Sequence, residues 1–401
     1  MAQLKRVIGL KGLTLYGIGV TLGAGIYALV GEMAAVAGLY APLAFLLAGL
    51  LAALRGLSYA ELGSRYPESA GEAAYVDAGF SRRWVTAIAG YGVALSGSIS
   101  AAVVLHGFAG YVGELVPVPG GLAMTGALAV LVAIAGWGVR ESIWVAGVIT
   151  VIESAGLLLI IIVAAPDAVS APPPPPVANF PWQGVFAASV MAFFAFIGFE
   201  DIVNMAEETK APQRTLPVAI LITLAVSSIV YVAVSWVAVR TMPPELLAEE
   251  GGPLAAVFEA ATGLPGAPIA LIAVLAMVNG ALVQVLMASR VLYGLARRGL
   301  GPGPFAIVHP QRRTPVFATI AAGGLIWVLA LSGALSSLAV AASTVTLLVF
   351  AVVNAALLAV RLREGANTDV TDGFRAPLWA PVLGVIANLA VVVGVLVASL
   401  A

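Results

Sequence analysis

The chain has 401 residues, of which 61% are hydrophobic and 10% are charged, and its mean hydropathy is +1.05. Soluble domains carry about 25% charged residues, so this composition excludes a soluble globular protein and indicates several membrane-spanning segments. Nineteen basic residues against twenty acidic ones give a net charge of −1, which excludes the strongly basic surface of a nucleic-acid-binding protein. The lack of cysteine excludes disulfides and thiolate metal sites.

Apolar stretches of about 20 residues, the length that crosses a bilayer as a helix, predict eleven membrane spans. Their expected bounds are 12–37, 41–63, 84–113, 122–139, 142–165, 184–206, 215–240, 266–296, 316–334, 337–360 and 377–400. The residues before the first span are expected to be a cytoplasmic segment and not a signal peptide. The connections are short apart from 165–182, which is rich in proline, the acidic 241–252, and 64–83, which has room for a short surface helix.

The distribution of basic residues predicts the orientation, because cytoplasmic loops carry an excess of Lys and Arg. With the N-terminus in the cytoplasm, sixteen basic residues outside the spans fall inside and Arg240 alone falls outside, while Arg55 and Arg290 lie within spans. The sixteen are Lys5, Arg6, Lys11, Arg65, Arg82, Arg83, Arg140, Lys210, Arg214, Arg297, Arg298, Arg312, Arg313, Arg361, Arg363 and Arg375. We therefore predict a multi-pass protein of the plasma (inner) membrane with its C-terminus outside.

Two of the predicted spans carry an interruption near the middle. The first contains Gly23-Ala24-Gly25, and each glycine costs a helix interior about 1 kcal/mol relative to alanine. The sixth contains Phe194-Ala195-Phe196-Ile197-Gly198-Phe199, followed by two acids. Broken helices five spans apart favour an all-α transporter fold made of two inverted five-helix repeats with discontinuous helices 1 and 6. The expected repeats are 1–165 and 184–362, and 377–401 is an additional eleventh helix.

A break inside a membrane-spanning helix has a specific chemical consequence. Unpaired backbone N–H and C=O groups in hydrocarbon cost several kcal/mol each, so they are tolerated where they line a cavity and bind a polar ligand. The N–H groups that begin the second half of a broken helix favour an anion such as a carboxylate. For the first span taken alone, close packing of small residues is an equally good interpretation. The matching break in the sixth span favours a binding site.

Several motifs resemble the amino acid–polyamine–organocation (APC) superfamily, and in particular its amino acid permeases. They are Gly23–Tyr27, Ser58–Leu62 with Tyr66-Pro67 and Ser69–Ala73, Phe193–Glu200 with Asn204, Ala206–Glu208, Pro212 and Arg214, and Ser289-Arg290, Tyr293, Arg297, Gly299-Leu300, His309-Pro310 and Thr314-Pro315. They occur in the family's order over nearly the whole chain. The resemblance implies the five-plus-five fold and the transport of amino acids or related amines by alternating access.

The resemblance also implies a substrate site made largely of backbone groups. The N–H groups of Ala24 and Gly25 correspond to those that bind the substrate carboxylate, and carbonyls near Thr21 and in the sixth-span break correspond to those that bind its ammonium group. The candidate substrate-binding residues are Thr21, Gly23, Ala24, Gly25, Ile26, Phe194, Ala195, Phe196, Ile197 and Gln284. Phe194 and Phe196 are candidates for an aromatic gate, with core or lipid packing as the alternative.

One position in the fifth span departs from the family pattern. Relatives usually carry a lysine where this chain has Glu153, and in them the lysine ammonium fills a site that sodium occupies in related transporters. An ionised, unpaired carboxylate at that depth costs at least a few kcal/mol. Three interpretations stay open: Glu153 carries a proton, it binds a cation such as sodium together with Asn279, or it pairs with Arg55 or Arg290.

Other polar residues give weaker indications. Glu200 is a further candidate for a coupling or gating carboxylate, with an ion pair or a solvated cavity wall as the alternative. His106 and His309 stand apart from any acid cluster, so no metal site is expected, and no cofactor is expected either. We find no catalytic triad and no phosphate-binding loop, which argues against an enzyme and against an ATP-driven pump.

The sequence therefore predicts a secondary active amino acid transporter, either coupled to H⁺, with Na⁺ as the alternative ion, or working as an exchanger. A carrier for cationic amines or polyamines is a related alternative. From a different class, a channel or a sensor that binds an amino acid without moving it also fits the composition, but the sequence shows no filter motif typical of a pore. The expected partners are a small-molecule amino acid or amine and the lipid bilayer, and the expected oligomeric state is a monomer or a homodimer.

Overall fold

The computed structural model of the protein describes residues 6–67, 71–137, 143–173, 180–312, 314–364 and 373–400. Some residues used in the predictions lie outside these described ranges. They are Lys5, Ser69-Ala70, Arg140, Arg313 and residues 174–179 of the proline-rich connection.

The described residues are helical throughout their regular parts, and an isolated backbone bridge joins Ile8 to Thr209. The α-helices are α1 (Leu10–Leu22), α2 (Ala24–Ala37), α3 (Ala41–Arg65), α4 (Gly71–Phe80), α5 (Arg83–Leu115), α6 (Gly120–Trp137), α7 (Ile143–Ser170), α8 (Trp182–Phe194), α9 (Pro212–Thr241), α10 (Pro244–Glu249), α11 (Pro253–Thr262), α12 (Ala267–Arg297), α13 (Val316–Ser332), α14 (Leu335–Glu364) and α15 (Trp379–Leu400). Short 3₁₀ helices cover Gly38–Tyr40, Phe199–Glu208 and Gly303–Ala306.

The helices confirm an all-α polytopic membrane protein. Within the described ranges, nine segments are long and apolar enough to cross a membrane. One of them, Leu10–Arg65, has 56 residues, which is more than twice the length that a span needs. Val316–Ser332 is a shorter apolar helix. Nine of the eleven predicted spans coincide with one α-helix each in the described ranges, and the first and sixth each coincide with two successive helices. The number of membrane spans stays a prediction.

The connections hold more helix than the sequence pattern predicts. The expected surface helix in 64–83 is present as α4. The acidic connection 241–252 contains α10, and the unpredicted α11 follows it. With six and ten residues, these two helices are too short to cross a bilayer, which is why a search for apolar spans does not find them.

Small residues set how closely the long helices pack. Helix α3 packs along α9, and α5 packs along α12 and α14. On α3, an added side chain at Gly49 would meet Ser228 of α9 (2.6 Å to its Oγ). The same holds at Gly56, where Leu224 of α9 fills the space beside the glycine. Such close backbone approach is how helices associate in lipid, where no hydrophobic force drives them together.

A buried ionic network fastens the ends of α3, α14 and the segment before α15. Glu61 is fully buried and accepts hydrogen bonds from Arg65 (Nε, 2.8 Å), from both ends of the Arg361 guanidinium fork, and from the backbone N–H of Ala376 (2.8 Å). Arg361 also donates to the Ala376 carbonyl (2.6 Å). The bidentate geometry depends on the planar guanidinium.

We expect Arg361→Lys to lower the free energy of unfolding by about 2 kcal/mol, because lysine keeps the charge but cannot reach both carboxylate oxygens and the Ala376 carbonyl. Chemical denaturation of the purified protein in micelles measures the change. Arg363→Lys is the matched control, since Arg363 is exposed two residues further along α14, and we expect it to stay within about 0.5 kcal/mol of the parent. Equal losses for the two variants would show that the network does not stabilise the fold.

Candidate functional site

The first predicted span is broken where the sequence indicates. Helix α1 ends at Leu22 and α2 begins at Ala24, and Gly23 between them has ψ −133°, far from a helical value. The first N–H groups of α2, on Ala24, Gly25 and Ile26, therefore have no acceptor in a preceding turn, and Gly23 offers no side-chain cap. This leaves a set of buried hydrogen-bond donors without helical acceptors in the middle of the bundle.

The sixth predicted span is broken as well. Helix α8 ends at Phe194, residues 195–198 form turns, and the chain continues as a ten-residue 3₁₀ helix from Phe199 to Glu208. Runs of 3₁₀ helix longer than three or four residues are uncommon and often mark functional segments. Gly198 takes φ +121°, which favours glycine, and an added side chain there would also meet Val20 (2.7 Å to its Cγ1).

The two breaks lie against each other. A side chain added at Gly25 would place its Cβ 2.7 Å from the Cα and 3.0 Å from the Cβ of Ala195. On the far side of the break, a Cβ added at Gly198 would lie 3.1 Å from the carbonyl oxygen of Val20. Because glycine stands at both approaches, the backbone of the first span touches the backbone of the sixth.

A tyrosine of α9 joins the two breaks. The fully buried Tyr231 places its hydroxyl beside the carbonyl oxygens of Thr21 and Ala195, the latter at 2.7 Å. A hydroxyl has one hydrogen, so it can donate to only one of the two carbonyls at a time. The hydroxyl Oγ1 of Thr21 is also buried without a described partner. Acceptors thus outnumber donors at this point, whereas donors are in excess at the start of α2.

A cavity of about 550 Å³ leads from the breaks to one end of the bundle. Its inner end is lined by Val20 and Ile197, and its mouth by Glu208 and Arg298. Of the predicted coupling and substrate residues, Ile197, Glu200 and Asn279 line this cavity. Thr21 and residues 23–26 lie just beyond its inner end and are buried.

The remaining predicted site residues do not line the cavity; they are Glu153, Phe194, Ala195, Phe196 and Gln284. Gln284 is buried between α12 and α5, where its Oε1 lies 3.1 Å from the point that a Gly97 side chain would occupy. Phe196 is buried against Tyr231, with ring centres 5.1 Å apart. Phe194 is 5% exposed and does not line the cavity either. Both phenylalanines lie where core packing, the alternative to an aromatic gate, would place them.

Carboxylates are the more frequent charged side chains in the lining of the cavity. They are Glu72, Glu200, Asp201 and Glu208, and the arginines of the lining are Arg290 and Arg298. The Glu200 carboxylate accepts a hydrogen bond from the Gly198 N–H (2.9 Å), directly at the break. On α4, Glu72 accepts one from the Tyr59 hydroxyl (3.1 Å), and burial raises the pKa of the Glu72 carboxyl although this hydrogen bond opposes the shift.

Glu153 lies beside the first break. Its side chain is 1% exposed, both carboxylate oxygens lack a described hydrogen-bond partner, and its Oε2 is 3.6 Å from the position of a Cβ on Gly23. Neither Arg55 nor Arg290 forms an ion pair with it among the described residues. Arg55 instead donates from Nε to Asn388 (2.5 Å) and stacks on Phe193.

The sequence profile of the family described as "Amino acid permease" matches residues 8–400. The chain belongs to this family. Its motifs and its broken helices therefore lie in a family of permeases, which are transporters and not enzymes.

Three relatives illustrate the range of this permease family. The chain is 32% identical to the branched-chain amino acid permease BcaP of Bacillus subtilis, over 94% of this chain and 84% of that protein. It is 31% identical to the methylthioribose transporter of the same species, over 96% and 87% of the two chains. It is 33% identical to the vacuolar cationic amino acid transporter 2 of Arabidopsis thaliana, over 90% of this chain but only 60% of that protein.

Proposed function

We propose that the protein is a secondary active transporter that moves an amino acid across the plasma (inner) membrane by alternating access. The observation that carries the proposal is the imbalance of hydrogen-bonding groups at the two breaks. Unpaired N–H donors at the start of α2 suit a carboxylate, and the surplus carbonyls of Thr21 and Ala195 suit an ammonium group. An α-amino acid supplies both groups on one carbon atom.

The inverted five-plus-five repeat that we propose for this fold is supported by helix packing. In such a repeat the first and sixth spans correspond, as do the second and seventh, the third and eighth, and the fourth and ninth. Each of these four pairs is in contact: α2 with α8, α3 with α9, α5 with α12, and α6 with α13. With eleven spans and the basic residues inside, the cavity between the halves faces the cytoplasm.

A cationic substrate is the second candidate, and the cavity lining favours it. Four carboxylates against two arginines line the path from the breaks to the cavity mouth. A substrate with a positively charged side chain would be attracted along such a wall. Relatives named as cationic amino acid transporters agree with this alternative, whereas the relative named as a branched-chain amino acid permease agrees with a neutral substrate.

For the driving force we propose Glu153 as the coupling group, with H⁺ as the first candidate ion and Na⁺ as the second. A carboxylate that is 1% exposed and has no described partner is expensive to keep ionised inside a membrane protein. The Glu153 carboxylate therefore binds a proton or a cation. Because it lies beside Gly23, this binding can affect the broken part of the first span.

Uptake into proteoliposomes tests the proposal. Labelled branched-chain, small neutral and cationic amino acids and polyamines are offered with and without imposed proton and sodium gradients. We expect uptake of at least one amino acid against its concentration gradient or in exchange for internal amino acid. Binding without any movement across the bilayer would leave a sensor, and current that does not saturate with concentration would indicate a channel.

Tyr231→Phe is expected to weaken amino acid binding about tenfold. The hydroxyl holds the two breaks together and can accept the third N–H of a bound ammonium group, and a hydrogen bond to a charged group contributes about 1.5–3 kcal/mol. Scintillation proximity binding measures the change in affinity. Substrate analogues that lack the amino group should bind the variant as tightly as they bind the parent. Tyr91→Phe, which removes a hydroxyl bonded to the Leu300 carbonyl far from the breaks, is the control. Unchanged affinity in Tyr231→Phe would contradict an ammonium site at these carbonyls.

A further inference from the structure

Helices α10 and α11, residues 244–262, form a lid over the end of the bundle opposite the cavity mouth. Gly90 of α5 lines the cavity, whereas Tyr111 of the same helix, which contacts the lid, lies about 30 Å further along the helix. The lid rests on two glycines. An added side chain at Gly31 of α2 would meet the Leu247 carbonyl (2.8 Å), and one at Gly110 of α5 would overlap the Gly251 carbonyl.

The Tyr111 hydroxyl connects the lid to the bundle. It is fully buried, accepts a hydrogen bond from the Leu254 N–H (3.1 Å), and donates to the Tyr27 carbonyl (3.1 Å). Leu254 is in the first turn of α11, where a backbone N–H has no acceptor within its own helix. One hydroxyl thus uses both its donor and its acceptor capacity to join α11, α5 and α2.

A second hydroxyl continues the connection toward the first break. Tyr27 lies two residues after Gly25, and its hydroxyl donates to the backbone carbonyl of Glu153 (3.0 Å). The rings of Tyr27 and Tyr111 meet edge to face, with centres 6.3 Å apart. A path of three hydrogen bonds through Tyr111 and Tyr27 therefore runs from the lid to the backbone of Glu153, whose carboxylate lies beside Gly23.

We propose that Tyr111 is a positioning residue that latches the lid in its closed place, and that Tyr27 ties this closure to the position of Glu153. The proposal rests on the proposed transport function, since it makes closure of the outer lid and the state of the coupling carboxylate parts of one event. When the latch opens, the Leu254 N–H and the Tyr27 carbonyl lose their shared partner, and α2 is free to move with respect to α7.

Distances between spin labels test the latch directly. The chain has no cysteine, so Glu249→Cys on the lid and Ser332→Cys at the lid end of α13 introduce a single pair of labels at exposed positions. Double electron–electron resonance in nanodiscs then reports lid opening. We expect Tyr111→Phe to increase the population with the longer distance about tenfold, because the closed state alone loses two buried hydrogen bonds. Tyr40→Phe, whose half-buried ring packs on Phe180, is the control and should leave the distribution unchanged.

A glycine pair on α5 provides a second test that removes no hydroxyl. Gly110→Ala places a methyl group against the Gly251 backbone, whereas a Cβ on Gly113, one turn further, meets nothing within 4 Å. We expect the alanine at 110 to open the lid as Tyr111→Phe does, and the alanine at 113 to leave it closed. If Tyr111→Phe and Gly110→Ala both give the distance distribution of their controls, the latch is wrong. Because no substrate is present, this result is independent of whether the protein transports.

The second link is tested with Tyr27→Phe. This variant keeps the carbonyl that Tyr111 uses, so the lid distances should stay those of the parent. It removes the hydrogen bond to Glu153, and we expect gradient-driven accumulation of amino acid to fall several-fold while exchange continues. Accumulation equal to that of the parent would remove Tyr27 from the connection and leave the latch at Tyr111 intact.

Discussion

Gly25→Val is expected to weaken amino acid binding at least 100-fold without unfolding the protein. The added Cβ would lie 2.7 Å from the Ala195 Cα, a distance that forces the backbones of the two breaks apart. A shift of this size moves the N–H donors of α2 and the carbonyl of Ala195 out of reach of one ligand, and 100-fold corresponds to about 2.7 kcal/mol. Equilibrium binding of labelled substrate in detergent gives the affinity, and the melting temperature shows whether the fold survives.

Gly280→Ala is the control for this experiment. Gly280 lies on α12 beside the same break, but a Cβ there would be 3.4 Å from the Ala24 side chain and 3.9 Å from Val104, which are ordinary or nearly ordinary contacts. We expect its affinity to stay within threefold of the parent. If Gly25→Val binds as tightly as Gly280→Ala, the first turn of α2 does not hold the substrate carboxylate and the proposed site is wrong.

The break at Gly23 was predictable because its cause is local. Gly23-Ala24-Gly25 weakens the helix at the point where it breaks, and the apolar run that surrounds it, long enough to cross a bilayer, fixes the span. The same holds for Gly198, whose positive φ agrees with the residue type. For such features the sequence needs no knowledge of distant contacts.

Tyr231 was not predictable for the opposite reason. In the apolar sequence of α9 it resembles any aromatic residue facing a neighbouring helix or lipid. Its importance comes from carbonyls of two other segments, at Thr21 in α1 and at Ala195 in the turn after α8. Tyr111 is a similar case, because its partners belong to α2 and to the short α11. Contacts between elements far apart in sequence leave no local pattern.

Helical register explains why Gln284, a predicted substrate-binding residue, does not line the cavity. Residues of α12 that line the cavity include Asn279, Val283 and Met287, whereas Gln284 points toward Gly97 on α5. Adjacent residues of a helix face directions about 100° apart, so an alignment that is loose by one position changes the face. The family resemblance therefore pointed to a turn of the eighth predicted span that borders the cavity, whereas the Gln284 side chain faces α5; its role in substrate binding stays a prediction.

The carboxylate of Glu153 is expected to determine whether an ion gradient can drive transport. We expect Glu153→Gln to abolish accumulation of amino acid driven by an ion gradient while exchange of internal for external substrate continues. Glutamine has nearly the same shape but cannot take up a proton at neutral pH, and its neutral amide holds a cation far more weakly than a carboxylate does. Uptake into proteoliposomes with an imposed proton gradient, and separately with a sodium gradient, measures accumulation for each candidate ion.

The two gradients separate the remaining interpretations of Glu153. If the parent accumulates substrate under a proton gradient alone and the variant does not, Glu153 carries the proton. If a sodium gradient alone drives the parent and the variant no longer accumulates substrate, Glu153 contributes to binding the sodium. Glu32→Gln, at a half-buried carboxylate on α2, is the matched control and should accumulate like the parent. Accumulation by Glu153→Gln under the parent's own gradient would show that Glu153 has no coupling role.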